Sequence, residues 1–242
     1  MRTLVIGDIH GGYKGLLQAL ERAEVTVKDT LIFLGDYVDG WSESAQLIDF
    51  LIKLAVKQPC IFIRGNHDLW CGLWLDKGAT NPIWLAHGGE GTIQSYIHTS
   101  LLTSDPHRSF FKNLKDYYID EQNRLFVHAG FTSMHGVGKE TYESNYYWDR
   151  TLWEAALLAD KIDKDILEKT PPQRFCHYQE IYIGHTPTTN YDLDTPIQAH
   201  NLWNVDTGAG FTGKVTILDI DTKQYWQSDS LPFLYPSEKG RN

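Results

Sequence analysis

Five short phrases in this chain carry side chains suited to holding divalent metal ions. Asp8 and His10 lie in Gly7-Asp8-Ile9-His10-Gly11, and Asp36 and Asp39 lie in Gly35-Asp36-Tyr37-Val38-Asp39-Gly40. Asn66, His67 and Asp68 follow Gly65, His128 precedes Ala129-Gly130, and His185 precedes Thr186-Pro187. Carboxylate, imidazole and amide oxygen together suit borderline or hard ions such as Mn, Fe or Zn, and none of the phrases offers a thiolate for a soft metal. Taken singly, each phrase is an ordinary polar turn. Five in succession are not, because turns have no need of histidine.

Such residues must be brought together by something, and the sequence around them shows what. Short apolar runs at residues 4–6, 31–34, 61–63, 125–127 and 181–183 each stop at Gly, Arg, Asp or His, the pattern of buried strands. Between the early runs, Leu16, Leu17, Leu20 and Ala23 have helical spacing, as do Leu47, Ile48, Leu51, Leu54 and Ala55. Ser42 or Ser44 is placed to cap the second helix. Alternating strands and helices in the first third predict an α/β fold with a parallel or mixed sheet. The five polar phrases then fall at the carboxyl ends of strands, where open α/β sheets gather ligand sites.

The last third reads differently. Residues 202–205, 215–220 and 224–227 are strand-like, with a hairpin turn at Asp221-Thr222-Lys223, and they predict a second, more antiparallel sheet packed on the first. Residues 68–115 and 132–178 are irregular, aromatic-rich and helical by pattern. Without an internal repeat or linker-like tract, a single domain over 1–242 is expected, with 236–242 loosely held.

Composition narrows the function. With 22 Lys and Arg against 31 Asp and Glu, the net charge of −9 leaves no basic surplus for a nucleic-acid backbone, so no nucleic-acid partner is expected. Cys60, Cys71 and Cys176 are too few and scattered for a disulfide framework and read as reduced, mostly buried thiols. Residues 1–8 break their apolar run at once and no stretch approaches the length of a membrane span, so a cytoplasmic protein without a membrane partner is expected.

The series Gly-Asp-x-His-Gly, Gly-Asp-x-Val-Asp, Gly-Asn-His-Asp, His-Ala-Gly and Gly-His-Thr resembles the calcineurin-like metallophosphoesterases. Within these it is similar to the bacterial and phage branch of the phosphoprotein phosphatases, which also includes symmetrical diadenosine tetraphosphate hydrolases. The motifs run from Asp8 to about Asp206. The resemblance implies a four-layer α/β/β/α sandwich of two mixed sheets with two divalent ions at one edge, manganese first and iron or zinc as alternatives. Asp8 and His10 would hold one ion, Asp36 would bridge, and Asn66, His128 and His185 would hold the other. His67 would be the general acid, with Asp39 fixing its ring. Arg64, Arg150 and Asn66 match positions that grip phosphate, a task the planar guanidinium suits.

The activity implied is hydrolysis of a phosphomonoester, phosphoserine or phosphothreonine and by extension phosphotyrosine, through attack of a metal-bound hydroxide. The partner would be a phosphorylated protein or a small phosphoester. A dinucleoside polyphosphate is the alternative substrate, with Trp41, Trp70, Trp74 and Trp84 as candidate stacking groups. A non-catalytic scaffold ranks last, since no ligand or acid is missing. One departure stands out: many relatives read Val-Asp-Arg-Gly where this chain has Val38-Asp39-Gly40-Trp41.

Overall fold

The structure is a computed structural model and describes residues 1–241, apart from the side chains of Lys164 and Glu168. Ten strands form two five-stranded mixed sheets. The first runs β10-β9-β1-β2-β3, built from β1 (Thr3–Ile6), β2 (Thr30–Phe33), β3 (Cys60–Phe62), β9 (Thr216–Asp219) and β10 (Tyr225–Gln227). The second runs β4-β5-β6-β8-β7, from β4 (Tyr117–Ile119), β5 (Leu125–Val127), β6 (Ile181–Ile183), β7 (Ile197–Ala199) and β8 (Leu202–Asn204).

The two-residue period of a strand explains the layers. Val5, Ile32, Phe126, Tyr182 and Leu218 point into the space between the sheets, where Phe126 stacks on Tyr182 at 5.0 Å. Their neighbours Leu4, Ile6, Leu31 and Phe33 face outward onto helices α1 (Tyr13–Arg22) and α2 (Ser44–Ala55). Leu125, Val127, Ile181 and Ile183 face the other way, onto Leu152, Trp153 and Ala156 of the helix Thr151–Ala159. Every central strand is therefore apolar on both faces, and the result is the expected α/β/β/α sandwich.

Several details differ from the expectation. The segment after residue 214 does not join the second sheet. β9 returns to pair antiparallel with β1, Val5 opposite Leu218, because Leu218 and Ile217 fit the two faces of the first sheet. The second sheet keeps a parallel centre, β5-β6-β8, with antiparallel strands only at its edges. Neither Ser42 nor Ser44 caps α2. Ser95 Oγ accepts from Ala45 N instead, so a neighbouring helix supplies the cap. Cys71 is buried, but Cys176 is exposed. Residues 236–241 are docked rather than loose: Glu238 accepts from Ser42 N and Oγ, and Arg241 N donates to Gly210 O. Asn242 lies outside the described residues. No helix among those described is long and apolar enough to cross a membrane.

Candidate active site

The turns that follow β1, β2, β5 and β6, with the start of helix α3 (Asn66–Lys77), meet at one edge of the sandwich. They are tied by their own backbones. Ile9 N and His10 N both donate to Asp36 O, and Gly184 N donates to His128 O. His10, Asp36, Asp39 and His185 all have positive φ, between 52° and 69°, a region non-glycine residues rarely occupy. Four such residues in one place mark a backbone held against its preference by its surroundings, as functional sites often are. Close approach adds a second constraint: a Cβ at Gly65 would meet Asp36 Oδ1 at 2.1 Å, and one at Gly184 would meet Asp8 Oδ1 at 2.1 Å.

The side chains converge accordingly. Asp36 Oδ2 lies 3.6 Å from His10 Nε2 and 3.4 Å from His128 Nε2. Asp8 Oδ2 is 3.8 Å from His10 Nε2. Asn66 Oδ1 is 3.2 Å from His128 Nε2 and 3.1 Å from His185 Nδ1. Asp36, in the middle, also accepts from His67 N at the start of α3, where helix N–H groups favour a negative charge.

The tautomers are set from behind. His10 Nδ1 donates to Val38 O and Asp39 O, and His128 Nδ1 donates to Leu34 O. Each ring therefore turns an Nε2 lone pair toward carboxylate oxygens, an arrangement of electron donors facing one another that calls for a cation between them. The buried His185 Nε2 has no partner of its own. Electrostatics agree. Burial and Asp206 push Asp8 well above the usual carboxylate range. Burial works against a charge on His128 too, but Asp36 and Asp8 overcome it and raise the ring to about 10, a measure of how strongly these carboxylates attract a cation. His10, Asp36 and His67, and separately Asp36, His128 and His185, present donor atoms within 4.8 Å of one another. The residues fit a pair of divalent ions sharing Asp36.

Beside them sits a dyad. His67 Nδ1 lies 2.7 Å from Asp39 Oδ2. Asp39 also accepts from Trp84 Nε1 at 2.6 Å and from Thr92 Oγ1 at 2.7 Å, with nothing of it exposed. Burial raises Asp39 to about 8, against the pull of Thr92 and Trp84, and burial lowers His67 to about 3. Both shifts have one cause, the burial of the pair, and both disfavour separated charge across the 2.7 Å contact.

His67, Asp36, Asn66 and His185 open into a cavity of about 380 Å³ walled by Trp70, Trp148, His87, Arg150, Phe211 and Arg241. Arg150 is exposed there. Asp149 does not pair with it, because its carboxylate caps the next helix through Thr151 N and Leu152 N. Arg64 is placed elsewhere. Asp116 at 2.8 Å and Leu114 O at 3.0 Å hold its guanidinium over the Tyr147 ring, facing a separate cavity beside Asp68 and Phe111. Among the tryptophans, Trp41 is stacked on Tyr235 in the core, and Trp74 packs on Trp84. Only Trp70 of the four reaches the cavity, joined by Trp148 at 5.1 Å. Trp84 and Thr92 as supports of Asp39, and Arg241 on the wall, have no signal in the local sequence. Asp68, by contrast, sits within a recognised phrase, and its carboxylate gathers Asp36 N, Tyr37 N and Gly65 N.

A paired-sheet sandwich with a dinuclear ligand set at its edge defines a metal-dependent phosphoesterase. The pattern of the calcineurin-like phosphoesterase family matches residues 1–202, and the chain belongs to that family. Curated relatives include bis(5'-nucleosyl)-tetraphosphatase PrpE [asymmetrical] of Anoxybacillus flavithermus, 26% identical over 234 residues and 88% of each chain. The protein of the same name from Bacillus cereus is 24% identical over 255 residues and 97% of each. Solved structures of the same fold include a candidate diadenosine tetraphosphatase, with TM-score 0.63, 15% identity and coverage of 93% of this chain and 92% of that one. A Saccharomyces cerevisiae protein serine/threonine phosphatase similar to human PP5 aligns with TM-score 0.59 at 15% identity, covering 95% and 80%.

Proposed function

We propose that this chain, acting as one domain over 1–242, hydrolyses a dinucleoside polyphosphate or a closely related nucleotide phosphoester with the help of two divalent ions. Asp8, His10 and Asp36 would hold one ion, and Asp36, Asn66, His128 and His185 the other. Manganese is the first choice for a set of carboxylate, imidazole and amide oxygen without sulfur. Bound there, the ions would acidify water and offset phosphoryl charge. The chain's own groups do the rest. Asp39 holds His67 by Nδ1, and His67 Nε2–H delivers its proton to the departing oxygen. Arg150 offers a guanidinium free of any ion pair among the described residues, so it can meet phosphoryl oxygens at the cavity wall. Arg64, expected to share that task, is committed to Asp116.

The observation that carries the choice of substrate is the indole pair Trp70–Trp148, which stands on the same cavity as His67 and Asn66. A phosphorylated serine or threonine needs one phosphate subsite and no stacking surface. A nucleoside polyphosphate uses both, since a base can lie on an indole while its phosphates reach the ligand rim. The full-length likeness to proteins named as bis(5'-nucleosyl)-tetraphosphatases supports the same reading. The test is a panel of diadenosine tetraphosphate, phosphopeptides and p-nitrophenyl phosphate, with manganese, iron or zinc supplied in turn. Preference for the dinucleotide by kcat/KM is expected. Preference for a phosphopeptide would return the assignment to a protein phosphatase, and no cleavage with any metal would remove the phosphoesterase reading.

A further inference from the structure

Arg241 lies 231 residues from His10 in sequence, yet its Nη1 is 3.3 Å from His10 Nε2. The segment 236–241 takes it there. Glu238 is pinned by Ser42, Gly240 at φ 62° packs against the Trp41 indole, and Arg241 N donates to Gly210 O. The guanidinium then lies over the Phe211 ring at 4.9 Å and enters the cavity wall beside Asp36, Asn66 and His67. Among the described residues it makes no ion pair with a carboxylate, and its buried Nε has no hydrogen-bond partner. Asp39 and Asp206 feel its charge but do not touch it, so its N–H donors are left for an anion from outside.

The glycine at position 40 makes room for it. An added Cβ there would come within 3.3 Å of Arg241 Cγ and 2.9 Å of His10 O, and the backbone has φ 140°. A side chain after Asp39 and the side chain of Arg241 thus compete for one space. We infer that Arg241 grips substrate phosphoryl oxygens at the His10 side of the site and stands in, from a distant segment, for the arginine absent after Asp39. Arg150 and Arg241 both line the cavity, and their charges act on different histidines of the rim, His185 and His10. The His10 lone pair that Arg241 now meets is the one an ion would take. With that lone pair taken by an ion, the Arg241 guanidinium, over Phe211 on the cavity wall, would be left to meet an anion.

This rests on the phosphoester reading, and the experiment separates the two. Inorganic phosphate is titrated calorimetrically into manganese-loaded protein, with metal content measured on the same samples. Wild type should bind phosphate, and Arg241→Ala should weaken binding about tenfold or more at unchanged metal content. Arg241→Lys should recover part of the loss, and Glu238→Ala, which frees the segment without touching the cavity, should weaken binding severalfold. Unchanged affinity in Arg241→Ala overturns the inference and leaves the phosphoesterase intact. Loss of metal in step with phosphate also overturns it, by making Arg241 a support of His10. Failure of the wild type to bind phosphate removes the phosphoester reading and this inference with it.

Discussion

Asp36 and Arg150 face the same cavity, and they are held in different ways. Asp36 is a short side chain on a positive-φ turn, buried, and in contact with the His67 backbone N–H and two imidazoles. Arg150 is a long one, exposed at the start of a helix, with no partner among the described carboxylates. The other ligands resemble Asp36, while Trp148 and Arg241 resemble Arg150. The rim is rigid because its strand-end turns leave the ligands few conformations. The wall is assembled from distant segments and can change without disturbing the rim. On the function proposed above, chemistry would belong to the first region and choice of substrate to the second.

The largest test breaks the rim. Asp36→Asn removes the shared charge, and we expect loss of at least one metal per chain by elemental analysis and a fall in kcat/KM of about a thousandfold or more. Retention of both metals with near-normal turnover would place the ions elsewhere. His67→Asn comes next. Distance alone would admit His67 as a ligand with His10 and Asp36, whereas its bond to Asp39 supports the proposed role in proton delivery. We expect kcat to fall roughly 10²- to 10⁴-fold with metal content unchanged, and equal loss of metal would make His67 a ligand.

The wall gives smaller, selective effects. Trp148→Ala should raise KM for diadenosine tetraphosphate about tenfold, the worth of one stacked base, and leave p-nitrophenyl phosphate almost unaffected. Equal effects on both substrates would argue that Trp148 only packs against His185. The smallest effect concerns the loop that carries the wall. Glu140 accepts from Thr132 N, Ser133 N and Tyr142 N; burial opposes its charge, but these bonds bring its carboxyl to about 2. A lowered folded-state pKa gives stability that is full above the unfolded value near 4.5 and is lost as pH falls toward 2. Glu140→Gln should therefore cost on the order of 1 kcal/mol at pH 7, discounted for solvent screening, with the gap from wild type closing below about pH 4.5 in urea melts. A gap that does not narrow in acid would show that shape, not charge, holds the loop.

The convergence of the rim was legible in the sequence because Asp8, Asp36, Asn66, His128 and His185 each sit at or within a few residues of the end of an apolar run. The two-sheet layering was legible for the same reason, since both faces of β1, β2, β5 and β6 are apolar. The wall was not. Arg64 stands next to the Asn66 phrase, but Asp116, 52 residues on, captures it, and no spacing rule announces that. Trp84 and Trp41 looked like stacking surfaces by position and are consumed by Asp39 and Tyr235. Residues 215–220 read correctly as a strand, but pairing partner is a tertiary choice, and their place beside β1 could not be read from the run itself.

That place has a consequence for how the protein is made. β1 leads into Asp8 and His10, but its second neighbour, β9, leaves the ribosome some two hundred residues later, with His128 and His185 about 90 and 30 residues ahead of it. Most of the chain must be synthesised while one edge of β1 is open and the metal cluster is incomplete. Long-range strand pairing is slow, and unpaired edges invite association. The nascent chain is therefore most exposed to misassembly, and to metals held by a partial ligand set, in the interval before β9 docks.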